Sequence, residues 1–285
     1  MKTIIFGEVI WDVYPDKKTI GGAPFNFGAN ISLLGDEAFL VTAVGNDELG
    51  ENALKEMKHY GIKTVLVSKS TYPTGRCTVT LDENKIPSYF VHENTAYDNI
   101  TITDETIEKI KAINADVFYF NTLIQRNETS RNSLKKILSE CSFKEVFCDI
   151  NIREGCYSKE SILLCMERAT MVKISDEELH YLYDTQVIPE DATTLAHICT
   201  IFPNIKMLLF TEGEKGSRVY DATENKTYFS GEVPNVEVVS TVGAGDSYGA
   251  AFINSIYQGD TIDTAINKAS KLSAKVVASY EAIIR

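Results

Sequence analysis

The densest chemical signal in the chain is Ser240-Thr241-Val242-Gly243-Ala244-Gly245-Asp246-Ser247-Tyr248-Gly249-Ala250, a glycine-rich turn that runs into the helical stretch Ala250–Tyr257. Gly243 and Gly245 let a backbone approach a ligand closely, and the unpaired N–H groups of a first helical turn converge on the same point, so the segment has the makings of an anion hole. Asp246 puts a carboxylate beside that hole, where it can take the proton of a hydroxyl attacking a bound phosphate. The same residues also suit a plain tight turn followed by an acid that complements the helix dipole. Taken alone, the turn supports both readings equally.

A second cluster, Gly21-Gly22-Ala23-Pro24-Phe25-Asn26, is a glycine pair followed by Pro at the first position of a helix. Asn26 offers a donor and an acceptor, as a sugar hydroxyl requires. Asp12 lies shortly before it, at the end of a strand-like segment. Competing phosphate motifs are absent: there is no G-x-x-x-x-G-K-[ST], no H-R-D and no D-F-G. Gly243-Ala244-Gly245-Asp246-Ser247-Tyr248 lacks the third glycine of a dinucleotide fingerprint.

The elements that must hold these groups follow from the hydrophobic pattern. Lys2–Gly7, Ala38–Val44, Val117–Phe120, Val146–Cys148, Met171–Ile174 and Met207–Thr211 read as strands. Pro24–Leu34, Glu48–Tyr60, Thr103–Ile113, Glu128–Glu140, Glu177–Tyr183 and Asp191–Ile201 read as helices between them. Ala244–Tyr257 and Thr261–Ser279 are consecutive helices, so the sheet ends before them. The alternation predicts an α/β fold, a mostly parallel sheet covered on both faces. Val9–Ile20 and Arg76–Val91 carry turn residues (Pro15-Asp16, Asp82-Glu83-Asn84, Pro87) and no helix, which predicts antiparallel hairpins paired as a small sheet. Standing over the strand ends, that sheet would make a lid. The expectation is a single domain, 1–285, with a lid from about 9–20 and 76–99.

Composition narrows the partners. The 285 residues include 28 Lys+Arg against 40 Asp+Glu, a formal charge of −12 that repels nucleic acid and anionic membranes. The 6 cysteines form no C-x-x-C pair and the 4 histidines no ligand pattern, which argues against zinc. No apolar run approaches the length of a membrane span, and the plainest reading is a cytoplasmic protein with reduced thiols.

With both clusters in view, the chain resembles the ribokinase-like (PfkB) carbohydrate kinases, the fructokinases most of all. The two family signatures match Gly21–Asn26 and Ser240–Asp246. Between them stand Pro73-Thr74-Gly75, Glu93-Asn94-Thr95-Ala96-Tyr97-Asp98, Gln125-Arg126, Asp149-Ile150-Asn151-Ile152-Arg153 and Thr211-Glu212-Gly213-Glu214-Lys215-Gly216, in order along essentially the whole chain. The resemblance implies a ribokinase-like three-layer α/β/α fold and an ATP-dependent kinase that phosphorylates a hydroxymethyl group of a free sugar. It makes Asp246 the base, with Gly243, Ala244 and Gly245 as the anion hole and Arg153 as a basic residue near sugar and phosphates. Asp12, Gly22, Asn26, Phe90, His92, Tyr97 and Gln125 become sugar-side residues. Lys173, Ser175, Thr211, Gly213 and Gly216 become nucleotide-side residues.

Two departures from the family stand out. Ser175-Asp176-Glu177-Glu178 replaces the usual Asn-x-x-Glu, so Glu178, the implied indirect contact to Mg²⁺, also completes a capping box. Ser240 replaces a common Asp, which weakens the case for the monovalent cation that the family suggests beside ATP and Mg²⁺. Sugar-acid kinases resemble Tyr-x-Arg where this chain has Phe90-Val91-His92, and a neutral His is a poor partner for a carboxylate. D-fructose is therefore expected over 2-keto-3-deoxygluconate or ribose. The partners expected are sugar and nucleotide, with a homodimer through the lid as an option. The alternative from another class is a silent sugar-binding regulator, against which Asp246, Gly243, Gly245 and Arg153 all count.

Overall fold

Apolar side chains occupy both faces of the central strands, so the sheet they build must be covered on both sides. The computed structural model describes residues 1–81, 87–230 and 236–285. Its strands are β1 (Lys2–Phe6), β2 (Ile10–Val13), β3 (Lys18–Gly21), β4 (Glu37–Gly45), β5 (Val67–Ser70), β6 (Arg76–Leu81), β7 (Pro87–Val91), β8 (Val117–Asn121), β9 (Glu145–Asp149), β10 (Met171–Ser175), β11 (Met207–Thr211), β12 (Ser217–Asp221) and β13 (Lys226–Phe229). Its helices are α1 (Ala23–Leu33), α2 (Glu48–His59), α3 (Asp104–Ile113), α4 (Glu128–Glu140), α5 (Lys159–Arg168), α6 (Asp176–Asp184), α7 (Leu195–Ile201), α8 (Ala244–Tyr257) and α9 (Ile262–Val277). Nine strands form one sheet in the order β13-β12-β11-β10-β9-β8-β1-β4-β5. All its neighbours are parallel except at the β11–β12–β13 edge.

Strand parity sorts the core. Ile4, Phe6, Phe118, Phe120 and Cys148 face one way, against Ile107, Leu134, Ile162, Leu182 and Ile198 of α3 to α7. Ile5, Val117, Tyr119 and Phe147 face the other, against Phe25 and Phe27 of α1, Met57 of α2, Phe252 of α8 and Ile266 of α9. Phe27 stacks on Tyr119 at 4.0 Å between ring centres and meets Phe147 edge-on at 5.7 Å. Each such buried aromatic contributes about 1.5–3 kcal/mol. Helix α8 seats on the same rings through Gly249, where an added Cβ would lie 3.3 Å from Phe147 and 3.7 Å from Phe27. Because α1 and α8 share this seat, their first turns meet at one end of the sheet.

The two hairpins pair as expected into a small sheet, β3-β2-β6-β7, joined by a parallel β2–β6 contact. Its second hairpin stops at Val91, short of the expected boundary at 99. Ala96–Asn99 is instead a short 3-10 turn whose Ala96, Tyr97 and Asp98 are buried in the main body. Arg126 explains the stop: its guanidinium forks onto Asp98 at 2.7 and 2.8 Å and donates to the His92 carbonyl at 2.6 Å. The turn expected at Asp82-Glu83-Asn84 lies outside the described residues. The pattern did not reveal α5, β5 or the β12–β13 hairpin. Helix α7 starts at Leu195 rather than Asp191, because the Thr194 side chain caps it by accepting from His197 N–H. No helix among the described residues is long and apolar enough to cross a membrane.

Candidate active site

Parallel register sets three polar residues in one row at the carboxyl edge of the sheet: Asn121 pairs with Asp149, and Asp149 with Lys173. This is the edge at which open α/β sheets bind ligands. The Lys173 ammonium reaches Asp149 Oδ1 at 2.8 Å, and both groups are buried. Burial pulls the Lys173 pKa down, but Asp149 and Glu178 outweigh it, so the ammonium is held above its ordinary value and stays charged. The first turn of α8 lies over this cation, since a Cβ on Gly245 would sit 3.1 Å from Lys173 Nζ. A fixed positive charge and a helix N-terminus thus address the same space.

Gly243 caps α8 with φ +81°, a conformation suited to glycine. A Cβ there would also collide with Ala282, 2.5 Å from its carbonyl oxygen. Of the three implied anion-hole residues, Ala244 spends its N–H on the Thr241 carbonyl at 3.2 Å. The Gly245 and Asp246 amides, one position deeper, precede any intrahelical acceptor. Asp246 is buried and its Oδ2 accepts from Asn26 Nδ2 at 2.8 Å. Burial, then Asp149, push its pKa up to about 6, against the opposing pull of Asn26, Lys173 and Arg153. At neutral pH it is an ionised carboxylate with raised basicity, the condition a general base needs.

On the side of the small sheet, Asp12 of β2 is half-buried, with a pKa that burial raises to about 6 and Arg153 opposes. Arg153 is exposed and makes no ion pair among the described residues, while its charge acts on Glu8, Asp12, Asp149 and Asp246. Its loop is pinned: Thr122 Oγ1 donates to the Ile150 carbonyl at 2.6 Å, and Ile152 N–H to Glu178 Oε1 at 3.0 Å. Phe90 is exposed on β7, and His92 bonds Thr78 Oγ1 through Nε2 at 2.8 Å. Burial and then Arg76 lower the His92 pKa, so the ring is neutral. Tyr97 is fully buried, and its hydroxyl has no partner among the described residues. Gln125 turns inward, donating to the Asn121 carbonyl and to Cys165 Sγ, and its Oε1 has no partner among the described residues.

Ser175 and Thr211 end adjacent strands side by side. Gly213 and Gly216, with φ of +55° and +97°, shape the exposed loop beyond Thr211. The Ser175 hydroxyl accepts from Glu178 N–H, while Glu178 Oε2 accepts from Ser175 N–H at 2.9 Å and Oε1 from Ile152 N–H. The capping box therefore forms, and both Glu178 oxygens are engaged. As placed, Glu178 holds the Ile152–Arg153 loop.

The pfkB carbohydrate kinase family profile matches residues 2–285. The chain belongs to this family. Among curated relatives, the probable fructokinase-4 of Arabidopsis thaliana is 30% identical over 274 residues, covering 88% of this chain and 80% of the relative. Among solved structures, the fructokinase of Vibrio cholerae, crystallised with fructose, ADP and calcium, superposes with a TM-score of 0.82 at 22% identity, covering 99% of this chain and 94% of that one. A sugar kinase of Pyrococcus horikoshii gives 0.81 at 24% identity, with 99% and 92% covered. The fold is accordingly ribokinase-like.

Within this pfkB kinase no group of three or more His, Cys, Asp or Glu among the described residues is placed to hold a metal ion. The residues present do not form a magnesium cage, and such ions commonly arrive on substrate phosphates. Two buried groups escaped the sequence reading, Glu8 and Asn121. Their only signal is a lone polar residue at the end of an apolar strand-like run, in Phe6-Gly7-Glu8-Val9-Ile10 and Phe118-Tyr119-Phe120-Asn121.

Proposed function

We propose that this pfkB kinase transfers the γ-phosphoryl group of ATP to a hydroxymethyl group of a free sugar, with D-fructose as the preferred acceptor. The observation that carries the reading is the buried Asp246 carboxylate at the α8 N-terminus, oriented by Asn26. The attacking hydroxyl gives its proton to Asp246 as the new O–P bond forms, and the bond from the γ-phosphorus to ADP breaks. Negative charge on the transferring group is met by the first-turn N–H groups of α8, by Lys173 and by Arg153. Mg²⁺, arriving on the triphosphate rather than held by this chain, would supply further neutralisation. Thr211, Gly213 and Gly216 border the nucleotide, and the small sheet closes over the sugar and excludes water, which would otherwise compete for ATP.

Preference for a neutral sugar rests on His92, which is neutral and already bonded to Thr78. It offers no counter-charge to the carboxylate of 2-keto-3-deoxygluconate. Fructokinases among the relatives support the same choice. ADP release in the presence of D-fructose, 2-keto-3-deoxygluconate, ribose and adenosine tests it. D-fructose is expected to give the highest kcat/KM. A preference for any of the other three overturns the fructose assignment, and sugar binding without ADP release overturns the kinase reading in favour of a silent binding protein.

A further inference from the structure

Glu8 follows β1 and is buried, yet no cation stands within ion-pair distance of it among the described residues. Its oxygens accept from Asn121 Nδ2, at 2.9 and 3.2 Å, and from its own main-chain N–H. It is packed directly beneath the Gly22 turn: a Cβ on Gly22 would come within 2.8 Å of the Glu8 carbonyl oxygen and 3.4 Å of its Cγ. From Gly22 the contact continues to the base. The Gly22 carbonyl accepts from Asn26 N–H at 2.9 Å, and Asn26 Nδ2 holds Asp246 at 2.8 Å. One turn of α1 thus carries Glu8 at one end and Asp246 at the other.

The groups that act on Glu8 come from every neighbouring element: Asn121 and Tyr119 of β8, Tyr97 of the 3-10 turn, Asp246 of α8, and Arg153 beyond β9. Burial raises its pKa to about 7, with Asp246 adding to the rise and its own N–H, Asn121 and Arg153 opposing it. In the protonated form the acid has one O–H to donate, while the bonds it makes to Asn121 are both ones it accepts. A buried donor left unpaired costs about 1–3 kcal/mol. Asn26 Oδ1 is buried with no partner among the described residues. A polyhydroxylated ligand answers both needs, by accepting from the acid and donating to the amide.

We propose that Glu8 is a substrate-binding residue of the acceptor site: its carboxylic acid, held by Asn121 against the Gly22 turn, donates to a hydroxyl oxygen of the sugar and fixes the sugar relative to Asp246. This rests on the sugar-kinase reading above. The test is the KM for D-fructose between pH 6.5 and 8.5 in the wild type and in Glu8→Gln, whose carboxamide keeps an acceptor for Asn121 and donates at every pH. Asp12 and Asp246, with pKa values of about 6, are already roughly three-quarters ionised at pH 6.5, so completing their ionisation can change KM by only about a third. In the wild type the sugar KM should rise on the order of tenfold or more as the proton is lost. It should stay flat in Glu8→Gln, with the KM for ATP unmoved in both.

A flat wild-type profile overturns the proposal. So does a Glu8→Gln enzyme that keeps the wild-type rise, or one with lowered Tm and no change in the KM profile. If the wild type releases no ADP with any sugar, the kinase reading has failed instead. Calorimetric binding of D-fructose over the same pH range then decides Glu8 by the same criterion, without turnover.

Discussion

Asn26 donates a single hydrogen bond to Asp246, the proposed base, and deleting it should move the acid limb of the rate profile rather than lower the rate uniformly. Asp246 titrates at about 6 because burial and Asp149 raise it while Asn26, Lys173 and Arg153 hold it down. A hydrogen bond to a charged acceptor contributes about 1.5–3 kcal/mol, and at about 1.4 kcal/mol per pKa unit its loss raises Asp246 by roughly one to two units. Asn26→Ala should therefore shift the acid limb of kcat from about 6 to roughly 7–8. At pH 7 the ionised fraction then falls from about nine-tenths to between a half and a tenth, while at pH 9.5 kcat recovers. The assay is coupled ADP release from pH 5 to 9.5 with sugar and ATP both saturating, so that weaker sugar binding appears in KM and not in the limb. A kcat lowered by one constant factor at every pH, or a limb that stays in place or moves down, would refute the reasoning.

Asp246→Asn should reduce kcat by on the order of 10²-fold or more with sugar and nucleotide still bound, as read by turnover and calorimetry. The same change should stabilise the protein: the folded pKa lies above the unfolded one, so the native state loses stability as pH rises through about 6. The melting temperature should rise at pH 8 and not at pH 4, by the equivalent of up to about 3 kcal/mol. Gly243→Ala meets both a positive φ and the Ala282 backbone, and a loss of about 2–5 kcal/mol in denaturant melts is expected, with reduced kcat in what remains folded. Arg153→Ala, at an exposed residue without an ion pair, should lower kcat about tenfold or more and leave Tm unchanged; an early melt with normal turnover would mark it as structural. Glu178→Gln leaves one amide oxygen for the Ile152 and Ser175 N–H groups that its two carboxylate oxygens now serve, so kcat should fall with an unaltered Mg²⁺ titration and less than additively with Arg153→Ala. A shifted Mg²⁺ dependence would show a direct role instead.

What could be read from the sequence was whatever repeats locally. Strand parity in Lys2–Phe6 and Val117–Asn121, the Pro24 helix start and the Gly243 turn are all decided within a few residues, and the structure has them in place. Helix α5 was missed because Ile162-Leu163-Leu164 puts apolar side chains in succession and blurs the period. The hairpin β12–β13 turns on Asn225 at φ +52° with no Gly to announce it. The end of the small sheet at Val91 depends on Arg126 finding Asp98 and the His92 carbonyl, which no spacing encodes. Glu8 and Asn121 are the plainest case. They are 113 residues apart, and only the adjacency of β1 and β8 makes them partners.

The hydrogen bond between Asn26 and Asp246 joins residues 220 positions apart, which bears on how the protein is made. At ribosomal speeds, roughly 10–45 s pass between the synthesis of one and the other. Until α8 and α9 follow, the face of the sheet carrying Tyr119 and Phe147 has only α1 and α2 as its cover. A growing chain therefore shows a partly covered apolar face and a buried-type amide with no acceptor, the kind of surface that makes a folding intermediate prone to aggregate. Asp246 arrives on the same helix that closes this face, so the core and the Asn26–Asp246 pair are completed together.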